Sequence, residues 1–185
     1  MLNTRFWVLA GITLTVAAAR LIPHPPNATP VAAMALFGGA HFASKRAAIA
    51  VPLAAMALSD LVLGLVWYGT AIIGSMPYVY ACFVATSCLG MWVGPRPSPR
   101  RIAAAALTSS VLFFLVTNFG VWLTGKLYPL TWDGLAACYV TAVPFFRNTL
   151  AGDAVGTVVL FGGFRLAERS IAALREEAAS APVAG

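Results

Sequence analysis

The residues best suited to chemistry in this sequence are few, and they are densest in Ser75-Met76-Pro77-Tyr78-Val79-Tyr80-Ala81-Cys82. This run opens an apolar segment with a proline, two tyrosines and a thiol. A thiolate is a soft ligand for late transition metals. It is also a nucleophile when a base stands within hydrogen-bond reach. Tyr78 and Cys82 are four residues apart and share a helix face. No histidine falls on an adjacent turn, which counts against a membrane thiol enzyme with Cys82 as nucleophile. Other polar groups in apolar surroundings are Asp60, Asn118, Arg147, Asn148 and Asp153, preceded by His24 and Asn27 in a proline-rich stretch. Ionisable residues inside a membrane are costly and face the protein interior, a partner or a cavity.

Each of these residues also has a plainer reading. A lone cysteine such as Cys82, Cys88 or Cys138 is most often a small buried hydrophobe. Tyr78 and Tyr80 fit an interfacial aromatic belt as well as a pocket wall. Asp60 and Arg147 are candidates to pair across two helices. Asn118 suits helix–helix glue. Asp153, which lies deeper, suits a structural polar contact more than a ligand contact. His24 is an isolated loop histidine, and His41 falls near the inner face in a structural or solvated position.

Composition decides what positions these groups. Of 185 residues, 60% are hydrophobic and 10% charged, and the mean hydropathy is +0.83. A soluble domain carries about 25% charged residues, so lipid must solvate much of this chain. At ~20 residues per crossing there is room for about six helices and short loops in one membrane domain. No G-x-x-x-x-G-K-[ST] run is present, so ATP-driven work falls to another subunit. Three cysteines without C-x-x-C spacing point away from a disulfide framework or structural zinc. The net charge of +6 lies beside apolar segments, as orientation signals do, and gives no reason to expect nucleic acid.

The expected architecture is an all-α integral membrane protein with helices at 6–22, 31–43, 47–67, 76–93, 102–123 and 143–163. Together they make a single domain over 1–175, followed by a disordered Ala/Pro/Gly tail at 176–185. The first segment, with Arg5 ahead of it and Ala17-Ala18-Ala19 near its end, also fits a signal peptide, although cleavage would leave five helices. Between Pro23 and Pro30 four of eight residues are proline, which makes a stiff loop. Ala35, Gly39 and Ala43 recur every four residues as a close-packing face. Gly94 to Arg101 reads as a basic turn. Residues 124–140 read as a loop whose second half forms a short surface helix.

With the N-terminus inside, the inner loops and termini hold Arg5, Lys45, Arg46, Arg96, Arg100, Arg101, Arg165, Arg169 and Arg175. The outer loops hold Lys126, with Arg20 near the outer end of the first segment. That asymmetry places both termini in the cytoplasm. Cys82 then lies ~9 Å below the outer end of its helix. Asn27, Asp60, Asn118, Arg147 and Asn148 all fall in the outer half, as an outward-facing ligand cup requires.

Pro23-His24-Pro25-Pro26-Asn27, Leu58-Ser59-Asp60-Leu61, Tyr78 through Cys82, and Pro144-Phe145-Phe146-Arg147-Asn148-Thr149-Leu150-Ala151-Gly152-Asp153 resemble the BtuM family. These are small, solitary, cobalamin-linked proteins similar to the S components of energy-coupling factor (ECF) transporters. The resemblance implies an ECF S-component-like bundle in the cell inner membrane that binds cobalamin or cobinamide as substrate, with no cofactor of its own. It implies Cys82 as cobalt ligand, Tyr78, Tyr80 and Phe83 as wall, and Asn27, Asp60, Asn118, Arg147 and Asn148 as polar contacts. Thiolate-assisted removal of the upper cobalt ligand is conceivable in such a site. One departure is the first helix. It carries Gly11, Thr15 and Ala19 where S components that share an ECF module carry A-x-x-x-A, so the protein works either alone or with such a module. Alternatives are an S component for a biotin- or flavin-like vitamin, the thiol enzyme, or a structural subunit of a larger complex.

Overall fold

The computed structural model describes residues 3–68 and 76–175. The expected tail at 176–185 and most of the loop before Met76 lie outside them. No strand occurs among the described residues. The helices are α1 (Thr4–Ala19), α2 (Val31–His41), α3 (Lys45–Leu63), α4 (Met76–Val93), α5 (Pro99–Leu123), α6 (Trp132–Thr157) and α7 (Gly163–Ser170). A π-helical turn, Gly64–Tyr68, extends α3. A second, Val158–Gly162, carries α6 into α7, and a short 3-10 turn, Ala172–Leu174, follows.

Side-chain caps fix several starts. Asn3 accepts from the Phe6 N–H, Ser44 from Ala47, Ser98 from Arg101 and Thr131 from Gly134. Such caps satisfy amide groups that the first helical turn leaves unpaired. Ser98 and the proline after it start α5 at Pro99. Pro99, Arg100 and Arg101, expected in a turn, are therefore helical. The larger difference is α6. Residues 124–131 form the expected loop, but the expected surface helix and last segment are one run from Trp132 through Ser170. Pro144 lies within it. A proline removes a single N–H, whereas a break in apolar surroundings would strand several backbone groups that have no water to bind.

Among the described residues, four helical runs are long and apolar enough to cross a membrane: Lys45–Val66, Met76–Val93, Pro99–Leu123 and Trp132–Ser170. Their outward faces expose Leu61, Leu65, Trp92, Leu107, Val155 and Val158. The chain is a multi-pass helical membrane protein. α1 and α2 are apolar but shorter. With 11 residues, α2 rises only about 16 Å. Every residue from Ala32 to His41 is buried, because α1, α3, α4, α5 and α6 all pack around it. The closest approach is to α4, where Gly39 faces Ser87 and Gly90, and Gly90 faces the Leu36 carbonyl. A Cβ on either glycine would collide with backbone of the other helix.

The chain reaches α2 by a strap laid along α6 that turns at Pro26 and Asn27, where the Ala28 N–H donates to the Pro25 carbonyl. Asn148 donates from Nδ2 to the Pro26 carbonyl at 3.0 Å. One turn on, Gly152 lies against Ala28, and a further turn on Gly156 lies against Pro30. Asn27 sits in the strap at φ 61°, a left-handed conformation that asparagine tolerates better than most residues.

At the opposite end, Arg5 is buried beside α7. It pairs with Glu168 at 2.6 Å, donates to the Leu174 carbonyl and covers the Phe164 ring. His41, Phe37, Phe161 and Phe164 stack around it in edge and tilted contacts.

The glycine contacts give a direct test. Gly39→Val is expected to destabilise the detergent-purified protein by about 3 kcal/mol, the upper end for overpacking, since backbone must move. Gly11, whose Cβ would meet nothing, is the control. Gly11→Ala is expected to leave the thermal midpoint unchanged or raise it. Equal midpoints for the two variants would show that α2 and α4 are not in this contact.

Candidate functional site

The polar centre of the Arg20 end joins α1, α3 and α4. Arg20, just past α1, pairs with Asp60 at 2.7 Å and donates to Ser59 Oγ at 2.5 Å. Tyr80 donates its hydroxyl to the other Asp60 oxygen at 2.9 Å. The side chains of the pair are only 15% and 9% exposed. In such a setting the carboxylate needs its charge and its lone pairs matched, and the guanidinium and phenol supply both.

Beside this cluster lie two adjoining hollows. One, of about 490 Å³, runs between Arg20, His24, Asn27, Asp60, Met76 and Val79. The other, of about 330 Å³, lies between Ala32, Phe113, Thr117, Asn118, Phe146 and Asp153. Arg20, Asn27, Thr29, Met56 and Val79 belong to both, so the two form one cup. The first part is rimmed by the strap and the ion pair, and the second is walled by aromatic rings of α5 and α6. Both volumes are in the range of small-molecule sites.

Asp153 sits at the floor, 1% exposed. Its Oδ1 accepts the Ala33 N–H at 3.2 Å and its Oδ2 accepts the Ser110 hydroxyl at 2.7 Å. It thus caps the first turn of α2 from another helix, where a carboxylate also meets the positive end of the helix dipole.

A model of the DUF6580 family, a family of unknown function, matches residues 1–174. The chain belongs to that family. No curated protein and no solved structure matches it significantly.

In this DUF6580 chain the sequence-derived site residues divide. Asn27 lines both parts of the cup, Asp60 the outer one and Asn118 the inner one. Asn118 donates to the Phe114 carbonyl of its own helix at 2.7 Å. Asn148 holds the strap from outside. Arg147 is exposed and forms no ion pair among the described residues, so the partner of Asp60 is Arg20 and not Arg147. On α4 the residues facing the cup are Met76 and Val79. Tyr78 instead covers Gly120 of α5. Phe83 is wholly buried, edge-on to Phe113 at 5.6 Å.

The Cys82 thiol is 2% exposed, packed in the same apolar cluster and 4.0 Å from the Leu112 carbonyl. Cys138 is likewise buried, with its sulfur against the Asn118 carbonyl, and Cys88 is exposed. No group of three or more metal-ligating side chains occurs among the described residues. His24 sits on the rim with Nδ1 against the Ile22 carbonyl at 2.6 Å.

Sequence reasoning passed over Arg20 and Thr117. Arg20 had a usable signal, since a cation ending an apolar segment at the depth of Asp60 is a natural partner for it. Thr117 had none, because its hydroxyl bonds one turn back, to the Phe113 carbonyl, as membrane threonines generally can.

Two variants test the site. Asp60→Asn and Arg20→Met are each expected to cost about 2 kcal/mol in thermal or denaturant unfolding, since each strands a nearly buried partner. The double variant is expected to cost clearly less than their sum, and strict additivity would mean the pair is not coupled. Asn27→Gly, which keeps the left-handed turn, is expected to stay near wild-type stability, while Asn27→Val is expected to lower it measurably.

Proposed function

We propose that this DUF6580 protein is a membrane uptake protein that takes a vitamin-class small molecule into the cup at the Arg20 end. The observation that carries this reading is the convergence of the strap, α3, α4, α5 and α6 on one open hollow with a polar floor and an aromatic wall. That combination orients a ligand by a few hydrogen bonds and holds it by apolar area. The proposed topology has six segments, with α1 and α2 crossing alongside the four long helices and both termini in the cytoplasm. The basic residues clustered toward the Arg5 end support that orientation. The Arg20 end then opens to the outside of the cell inner membrane.

The resemblance to solitary cobalamin-linked S components supports cobalamin or cobinamide as ligand, with the thiolate of Cys82 on cobalt. In that complex α4 and α5 part near Leu112, so that the thiol reaches the cup. A second reading, a smaller biotin- or flavin-like vitamin, is favoured by the burial of Cys82 away from the cup. Neither reading calls for chemistry beyond binding.

An absorption spectrum of detergent-purified protein after incubation with cobalamin or cobinamide separates them. Wild type is compared with Cys82→Ala and with Thr117→Trp, which fills the inner hollow. The corrinoid reading expects retained colour with a displaced band, lost displacement in Cys82→Ala, and no colour in Thr117→Trp. A colourless wild type overturns it. A thermal shift with a smaller vitamin, abolished by Thr117→Trp, then establishes the second reading. No shift with any vitamin tested overturns the cup itself.

A further inference from the structure

A second pair of hollows begins at the opposite end of the molecule and shares only Asp153 with the cup. One, of about 400 Å³, is bordered by Arg96, Arg165, Arg169 and Arg175, with His41 at its inner side. The carboxylate on its wall, Glu168, is already held by Arg5. Among the described residues, four guanidinium groups against one compensated carboxylate make a site for an anion with several oxygens, which arginine binds through paired N–H donors.

The other hollow, of about 440 Å³, is a groove between α5 and α6. Its walls are Ala103, Ala106, Leu107, Ala154, Val158 and Gly162. Ser110 and Asp153 also line it, and both Asp153 oxygens are engaged, one by the Ser110 hydroxyl at 2.7 Å and the other by the Ala33 N–H. The π-helical turn Val158–Gly162 forms part of the wall. Ile102, Phe161 and Arg165 belong to both hollows, so the basic end and the apolar groove run into one another.

We propose that these two hollows hold one anionic phospholipid, its phosphate among Arg96, Arg165, Arg169 and Arg175 and an acyl chain in the groove between α5 and α6. Charge complementarity selects the headgroup. The continuous apolar groove selects a lipid over free phosphate, which would use the basic end alone. Basic pockets between membrane helices on the cytoplasmic side bind anionic headgroups in this way. The headgroup part of the site lies at the Arg5 end, away from the cup, while the groove reaches up to Asp153, whose other side floors the cup.

The experiment uses the full-length protein delipidated in detergent. Thermal midpoints and native mass spectra are recorded with phosphatidylglycerol, phosphatidylcholine or inorganic phosphate. Phosphatidylglycerol is expected to raise the midpoint and leave a one-lipid adduct, while phosphatidylcholine and phosphate do neither. The Arg165→Gln/Arg169→Gln variant is expected to weaken phosphatidylglycerol binding about tenfold or more. Gly162→Leu, whose Cβ meets no neighbouring atom, is expected to weaken it as well by filling the groove, without lowering the lipid-free midpoint. Equal effects of phosphatidylcholine would mean unspecific lipid contact, and equal effects of phosphate would mean a free-anion site. Either result overturns the proposal, as does an adduct undiminished in both variants.

Discussion

A single carboxylate lets a helix begin in the middle of this bundle. α2 starts between the cup and the core, with Ala32 and Ala33 already buried, and its first amide groups need acceptors there. Asp153 supplies the missing acceptor to Ala33 and is itself held by Ser110 of α5. Unsatisfied amides in hydrocarbon are expensive enough to forbid such a start without a partner. One side chain therefore ties together α2, α5 and α6. The position of the floor of the cup follows from that tie.

The strap depends on the same region. Its descent along α6 needs a surface without side chains at Gly152 and Gly156. The amide of Asn148 anchors its top, and Asn27 provides the left-handed turn. α2 then runs on to its contact with α4, where Gly39 and Gly90 let two backbones touch. Small residues thus do two jobs. They admit the strap on one side of α2 and close the packing on the other, as is common where helices associate in lipid.

Much of the framework was legible in the sequence, because length and apolarity alone separate the segments. α4 begins and ends where its hydropathy does, and α2 ends two residues early. α6 was not legible as one helix, since Pro144 and the polar residues near Asp133 look like interruptions on the page. The site was harder to read. Spacing puts Tyr78 and Cys82 on one face, but in a membrane bundle the inward and outward faces are both apolar, so periodicity does not say where that face points. The structure turns Val79 to the cup and sends Tyr78, Cys82 and Phe83 into packing. Asp60 was marked by its charge alone, while its partner looked like an ordinary flanking arginine.

The shortness of α2 has a consequence for any solute that settles on the floor. Eleven residues cover about half of a ~30 Å hydrocarbon layer. If α2 crosses the membrane as proposed, a molecule resting against Asp153 and the first turn of α2 would have about half the hydrocarbon layer behind it. What separates it from the far side is a plug of about three helical turns. In the proposed uptake role, the remaining passage would be a matter of shifting that plug, not of building a full-length pore.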